Sequence, residues 1–498
     1  MAYIFPNLHN FIYIWKSIGA AMTEKLIVGR KREIDLLNKF IDSDDAEFIA
    51  VYGRRRVGKT YLVKSLFQKD FSFYMTGLAN SDFKRQLNNF ADAFFQYFSK
   101  KVSVKNWFEA FALLRDELSS VRKNKKIIFI DELPWFDTAR SDFVSALEHF
   151  WNSWASDDPA VKLIVCGSAT SWMMNKLINN RGGLHNRVTH QIKLSPFTLL
   201  EYEEFLKAKN FSMDRFEIAL FYMVFGGVPY YLKHLDNGES LAQNVDRLLF
   251  SEDGELRNEF QNLYHALFRN SEKYIAIVEA LAQKKMGMTR NALIEELSIE
   301  SSGAVSKALD DLENCGFIRR YSPFGKKTKD ELIQLVDFYT LFHFRFLAKR
   351  PKGRLNHWMQ IQGKPEYNNW CGYAFEMLCM QHYPQILSAL GISGIESTPC
   401  SWTYTGKDGG IQFDLLIDRI DNVINICEMR FSTTPYEVKQ EYLNELLEKI
   451  GRFKEITKTR KSPMLTFVTA QGLKNNSCAR QIPKSITLDS LYNLPNLP

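Results

Sequence analysis

Seven cysteines are scattered through 498 residues, and none of them falls in a CxxC pair or at a zinc-like Cys/His spacing. An odd, scattered set at Cys166, Cys315, Cys371, Cys379, Cys400, Cys427 and Cys478 fits a reducing, cytoplasmic setting better than a disulfide framework. Long apolar runs are also missing. No stretch reaches the roughly 18–20 residues needed to cross a bilayer, so no membrane partner is expected. No single-sign charge block marks a disordered tail, and no internal repeat marks a solenoid. The opening MAYIFPNLHNFIYIWKSIGAAM lacks the basic start and clean apolar centre of a signal peptide. Residues 1–22 therefore read as an N-terminal extension, with Met22 as an alternative start.

What is present is ordinary for a globular chain: 45% apolar and 24% charged residues. Lys plus Arg (64) exceed Asp plus Glu (57) by 7, a mild basic excess that permits a nucleic-acid partner without requiring one. The length exceeds what one core can hold and implies about three or four domains.

Between Ala50 and Val63 the chain reads AVYGRRRVGKTYLV. An apolar run, EFIAVY, leads into the loop, and TYLVKSLF follows with helical spacing, so the order is strand, loop, helix. GRRRVGKT satisfies G-x-x-x-x-G-K-[ST] with Gly53, Gly58, Lys59 and Thr60. Such a loop curls so that successive backbone N–H groups face phosphates at a helix N-terminus. Lys59 would reach the β- and γ-phosphates of ATP, and the Thr60 hydroxyl would hold Mg²⁺. The intervening Arg54, Arg55, Arg56 and Val57, with Tyr61 just beyond, complete the expected nucleotide-binding stretch. A second apolar run, KKIIFIDEL, ends in Asp131 and Glu132. An acid at the end of a buried strand can join the Mg²⁺ shell, and its neighbour can orient a water. A third run, VKLIVCGSA, puts Ser168 at its tip, where it either senses the γ-phosphate or caps the next helix. Strands alternating with helices imply a parallel sheet between helix layers.

These motifs, with LIVGRKREIDLLNKF, HNRVTHQIKLSPFTLLEYEEF and GGVPYYL, resemble the AAA+/STAND-type P-loop ATPases often called archaeal ATPases, over roughly Leu26–Leu232. The resemblance implies that Val28, Gly29 and Arg30 pack near the adenine and that Pro229 touches nucleotide from a helical lid. It also implies that Arg187 is either an arginine finger reaching a neighbouring subunit of a homo-oligomer or a surface ion-pair partner.

Residues 270–345 read as a winged helix-turn-helix. Val305, Ala308, Leu309 and Leu312 share one helical face in SSGAVSKALDDLENCG, and Gly316 follows as a stop. Asp310, Asp311 and Glu313 crowd that helix, which disfavours phosphate contact. The wing, with Arg319, Arg320, Lys326 and Lys327, is the better place for DNA, unless it is the solvated wing of a protein-binding module.

Near the C-terminus, IQFDLLIDRIDNVINICEMRFS reads as a β-hairpin turning near Asp421. Symmetric pairing sets Asp414 opposite Glu428 and Leu415 opposite Cys427, with Arg430 on the same face as Glu428. Opposed carboxylates require a cation, either a metal or Arg430 bridging both. D-x(13)-E-x-R resembles the core of the restriction-endonuclease-like, PD-(D/E)xK fold, in which two acids bind Mg²⁺ and a lysine helps activate water. By that likeness Glu376 in YAFEMLC is the acid from an upstream helix; otherwise it is an ordinary helix residue. The lysine is replaced by Arg430, which keeps its proton, and Lys439 is a possible substitute.

The expected organisation is an extension (1–22), a P-loop ATPase core (23–198), a helical lid (199–269), a winged helix (270–345), a linker (346–366) and a nuclease-like α/β domain (367–498). Two functions compete: an ATP-driven switch acting on DNA, and an ATP-dependent scaffold with a silent nuclease fold that binds a protein partner.

Overall fold

The computed structural model describes residues 27–179, 187–268, 270–300, 303–326, 330–348, 357–406 and 409–495. The expected extension and Lys327 lie outside these residues. Contacts divide the chain into two compact units. One is built from residues up to Val51 with Gly58–Cys166 and Arg187–Ile192, and the other from Tyr52–Val57 with Gly167–Asn186 and residues from Lys193 onward.

The first unit is organised by a five-stranded sheet in the order β2-β3-β4-β1-β5. Its strands are β1 (Glu47–Tyr52), β2 (Phe71–Thr76), β3 (Lys126–Asp131), β4 (Val161–Gly167) and β5 (His190–Lys193). β1, β3 and β4 are buried at every position, as continuous β-branched and apolar runs require in the middle of a helix-covered sheet. β3 runs parallel to both β2 and β4, in register Thr76↔Asp131 and Ile130↔Val165. The fold class expected for the N-terminal part, α/β with a parallel sheet, is what forms.

The second unit has a large continuous apolar core and, around its C-terminal sheet, two smaller clusters. The large core takes in Tyr202, Tyr222 and Phe225 from the helices Leu199–Ala208 and Arg215–Phe225, Val305 and Leu309 from Gly303–Asn314, and Trp370 and Leu378 from Pro365–Gln381. The helices at Leu199 and Arg215 open with capping boxes, Thr198 with Glu201 and Asp214 with Glu217. A three-stranded antiparallel sheet, β6 (Met288–Thr289), β8 (Leu332–Leu335) and β7 (Ile318–Tyr321), accompanies the helix Gly303–Asn314. The C-terminal sheet runs β13-β12-β11-β10-β9, with β9 at Ser397–Gly406, β10 at Gly409–Arg419, β11 at Val423–Arg430, β12 at Ser462–Thr469 and β13 at Lys484–Thr487. Within the stretch expected to be a linker, His357–Ile361 forms a helix. Asp246 accepts from the first N–H groups there, Trp358 at 2.8 Å and Met359 at 3.0 Å, and Trp358 is buried.

Candidate functional site: a phosphate loop and a carboxylate cavity

The helix Lys59–Phe67 starts at Gly58, which is left-handed (φ 95°), and no side chain caps it. A helix N-terminus entered through a left-handed glycine is an arrangement that suits a phosphate. Lys59 is 5% exposed. In the same unit the Thr60 hydroxyl donates to both carboxylate oxygens of Asp131, at 3.0 and 2.9 Å. Asp131 ends β3, and the Glu132 N–H donates to it at 3.0 Å. Burial and the charge of Glu132 push the Asp131 carboxyl up to about 6, against the pull of Thr60, the Glu132 N–H and Lys59. A buried oxygen pair beside a hydroxyl, with charge that its neighbours only partly offset, suits a hard divalent cation. Glu132 is half-buried and left-handed (φ 49°).

Two arginines of the loop hold carboxylates from later in the chain. The Arg54 guanidinium, 4% exposed, forms a forked ion pair with Asp337 at 3.0 and 3.4 Å and lies over the Phe317 ring. Arg56 pairs with Glu259 at 2.5 Å and stacks 3.8 Å from the centroid of Tyr230. Glu259 also accepts from the Tyr231 hydroxyl at 3.0 Å. Arg55 is exposed and Val57 is buried. Gly53 (φ 146°) lies so close to the backbone of Leu194 that a Cβ would meet its carbonyl oxygen at 2.2 Å. Sequence reasoning missed Asp337 and Glu259 because nothing in LVDFYT or NEFQNL marks an acid as the partner of a residue some 200 or more positions upstream.

The remaining predicted residues occupy varied settings. Gly29 (φ 67°) and Arg30 (φ 59°) precede the helix Lys31–Ile41, and Arg30 is buried. Tyr61 is 44% exposed. Pro229 opens the short helix Pro229–Leu232. Arg187 is exposed in a turn. Ser168 is buried, and the short helix after it has Ala169 at its N-cap.

Most of the basic residues expected to contact DNA have partners within the chain. Arg320 is held by Asp310 at 2.6 Å and Glu313 at 2.9 Å, and the Tyr274 hydroxyl donates to Asp311 at 2.6 Å. The acids that crowd the helix are thus used within the module. Arg319 donates to Gln334 at 2.8 Å and lies over Tyr321. Beyond β7, the Phe324 N–H donates to the Ser401 carbonyl at 2.7 Å, and the Phe324 ring packs 5.2 Å from Phe453. The segment after β7 is therefore docked on β9 and on the helix Gln440–Thr457, and of the four basic residues expected to meet DNA only Lys326 is a described, exposed side chain.

The C-terminal hairpin pairs Leu415 with Cys427, the register expected, and the ladder runs on to Asp418↔Ile424. Arg430 does not bridge both acids. It pairs with Glu428 at 2.7 Å, where the Tyr442 hydroxyl also donates at 2.7 Å, while Asp414 accepts from Gln412 at 2.6 Å. A register shift between Phe413 and Leu416 on the β9 side brackets Asp414, and such irregularities re-aim side chains. Asp414 and Glu376 instead line one cavity of about 80 Å³, together with Lys285, Gln334, Tyr373 and Gln412. Burial, then the charge of Asp414, pushes the Glu376 carboxyl up to about 8, while Lys285 pulls it down. Lys439 is exposed at the start of the helix Gln440–Thr457. Among the described residues no group of three or more His, Cys, Asp or Glu is arranged to hold a metal ion.

Residues 27–235 match a family described as an ATPase domain predominantly from Archaea. That stretch is similar to archaeal ATPase domains over the residues matched. An uncharacterized protein of Methanocaldococcus jannaschii is 27% identical over 366 residues, 72% of this chain and 77% of that protein. An uncharacterized ATP-binding protein of the same archaeon is 42% identical over 43 residues, 9% of this chain and 73% of that one. Among solved structures, a Walker-type ATPase of Pyrococcus abyssi aligns at 17% identity and TM-score 0.47, covering 64% of this chain and 96% of that one. The Aeropyrum pernix ORC2 protein aligns at 14% identity and TM-score 0.41, covering 65% and 95%. No helix among the described residues is long and apolar enough to cross a membrane.

Proposed function

We propose that this chain is an ATP-hydrolysing switch whose nucleotide state is passed to its C-terminal half. The observation that carries this reading is the Thr60 hydroxyl bonded to both oxygens of Asp131, with buried Lys59 just before it at the start of the helix. Lys59 binds the β- and γ-phosphates, while Thr60 and Asp131 hold Mg²⁺. The ion, when bound, neutralises charge on the phosphate oxygens. Glu132 orients the attacking water, and Ser168 and Arg187 are assigned to the γ-phosphate, Arg187 from a neighbouring copy. In this reading residues 270–345 are a winged helix, and residues 367–498 have a nuclease-like fold.

Lys59→Ala should abolish binding of a fluorescent ATP analogue, and Glu132→Gln should retain binding while hydrolysis falls by roughly 10²-fold or more. Wild-type affinity in the Lys59 variant would sink the assignment.

For the output, the cavity shared by Glu376 and Asp414 favours action on DNA through a carboxylate site. Glu376→Gln and Asp414→Asn should then remove Mg²⁺- or Mn²⁺-dependent cutting of plasmid DNA. A second reading, a scaffold for a protein partner, is favoured by the commitment of Glu428 to Arg430 and Tyr442 and of Arg320 to Asp310 and Glu313. Equal or absent cutting in wild type and both variants selects it.

A further inference from the structure

One strand of the second unit touches three things at once. β8 (Leu332–Leu335) carries Gln334, which lines the cavity of Glu376 and Asp414 and donates to the Lys285 carbonyl. Three residues on, roughly 10 Å along an extended chain, Asp337 grips Arg54 of the phosphate loop, and both side chains are nearly inaccessible at 4% and 3%. β8 pairs with β7 in register Ile318↔Leu335 to Tyr321↔Leu332, and the loop after β7 is anchored through Phe324 to Ser401 and Phe453. The hold on the loop is doubled by Arg56, left-handed at φ 75°, on Glu259.

Each contact is strong where it matters. A forked arginine–carboxylate pair away from water is far more costly to break than an exposed one, because each partner would be left as a buried charge. The pair shares its site with ring faces: Phe317, under Arg54, is the residue before Ile318, and its carbonyl accepts from Val336 at 2.8 Å and from Asp337 at 3.3 Å. The ion pair is therefore built into the end of the β7–β8 ribbon. Close to that same end, Gln334, paired with Arg319, closes one side of the carboxylate cavity with Lys285 and Met286, which precede β6, and Glu376 and Asp414 form the other.

We infer that the β7–β8 ribbon is a nucleotide-controlled cap: Asp337 latches it to the phosphate loop through Arg54, and the docked ribbon closes the carboxylate cavity. The latch and the nucleotide act on one loop, so each alters the affinity of the other by the same factor. The latch holds Gly53–Val57 in its curled form, so it favours nucleotide, and nucleotide favours the closed cap. Emptying the loop lets the ribbon lift and opens the cavity. This rests on the nucleotide-site and cavity assignments above, but not on cutting.

The test uses the full chain and amide hydrogen exchange of residues 318–326, where the Phe324 N–H reports docking. Asp337→Asn, and Arg54→Lys as a milder change, should speed that exchange roughly tenfold and weaken ATP binding by a similar factor. Phe324→Ala, which loosens the ribbon from its far end, should also weaken ATP binding, but not in the Asp337→Asn background. Saturating ATP should slow the exchange in wild type and leave it unchanged in Lys59→Ala. Unchanged exchange in both latch variants overturns the proposal, as does faster exchange with unaltered ATP affinity. A wild type that binds no ATP instead sinks the nucleotide assignment, while the exchange of the latch variants still judges whether Arg54 holds the ribbon.

Discussion

Asp131 is held in a form its surroundings resist. Its carboxyl, 4% exposed, is raised from 3.8 to about 6, so the folded chain binds a proton there that the unfolded chain has released. That contribution is complete below pH 3.8 and is lost as pH rises through 6, leaving a destabilising charge at neutral pH. Asp131→Asn should therefore stabilise the nucleotide-free protein at pH 7.5 by up to about 3 kcal/mol, read by urea unfolding, while Mg²⁺-dependent nucleotide affinity falls. His382 works in the opposite direction. Its buried ring, held between the Leu378 carbonyl and the Leu199 N–H at 3.1 Å, is lowered by burial from 6.5 to about 4. Stability from this group is full above pH 6.5 and lost as pH falls through 4. His382→Gln should flatten the acid side of the stability curve by up to about 3 kcal/mol. The meeting of Thr60 with Asp131 was legible in the sequence because a glycine loop and an acid-tipped buried strand stand in that order. Asp337, Glu259, Lys285 and Tyr442 were not, because ordinary residues acquire their partners only when distant segments meet.

At the level of elements, spacing served well wherever one face had to be buried. The helix Gly303–Asn314 hides Val305, Ala308, Leu309 and Leu312 as its periodicity requires, and the hairpin keeps the Leu415↔Cys427 register. Charge was harder to read, because a row of acids looks the same whether it meets water or an arginine. Asp310 and Glu313 meet Arg320, with side chains 56%, 37% and 25% exposed, so Arg320→Ala should cost under about 1 kcal/mol. Asp246 is different: it is buried and accepts from both Trp358 and Met359. Asp246→Ala should lower stability by about 1–2 kcal/mol and increase exchange at residues 357–361, both measurable on the full chain.

On the scale of the molecule, the sequence divides more readily than the core does. Turn and charge signals place boundaries near 270 and 367, yet apolar residues from Phe197 to Tyr492 share one cluster. Phe216 stacks on Phe431, and the Tyr492 hydroxyl donates to the Arg215 carbonyl at 2.6 Å. A chain ended at residue 366 should thus expose apolar surface and bind a dye such as ANS, and a cooperative unfolding transition in that truncated chain would contradict a shared core. All seven cysteines are buried thiols. Cys166 belongs to the first unit and the other six to the second. Alkylation under native conditions is thereby a two-channel clock, in which one added mass records the opening of the sheet unit and six record the opening of the rest.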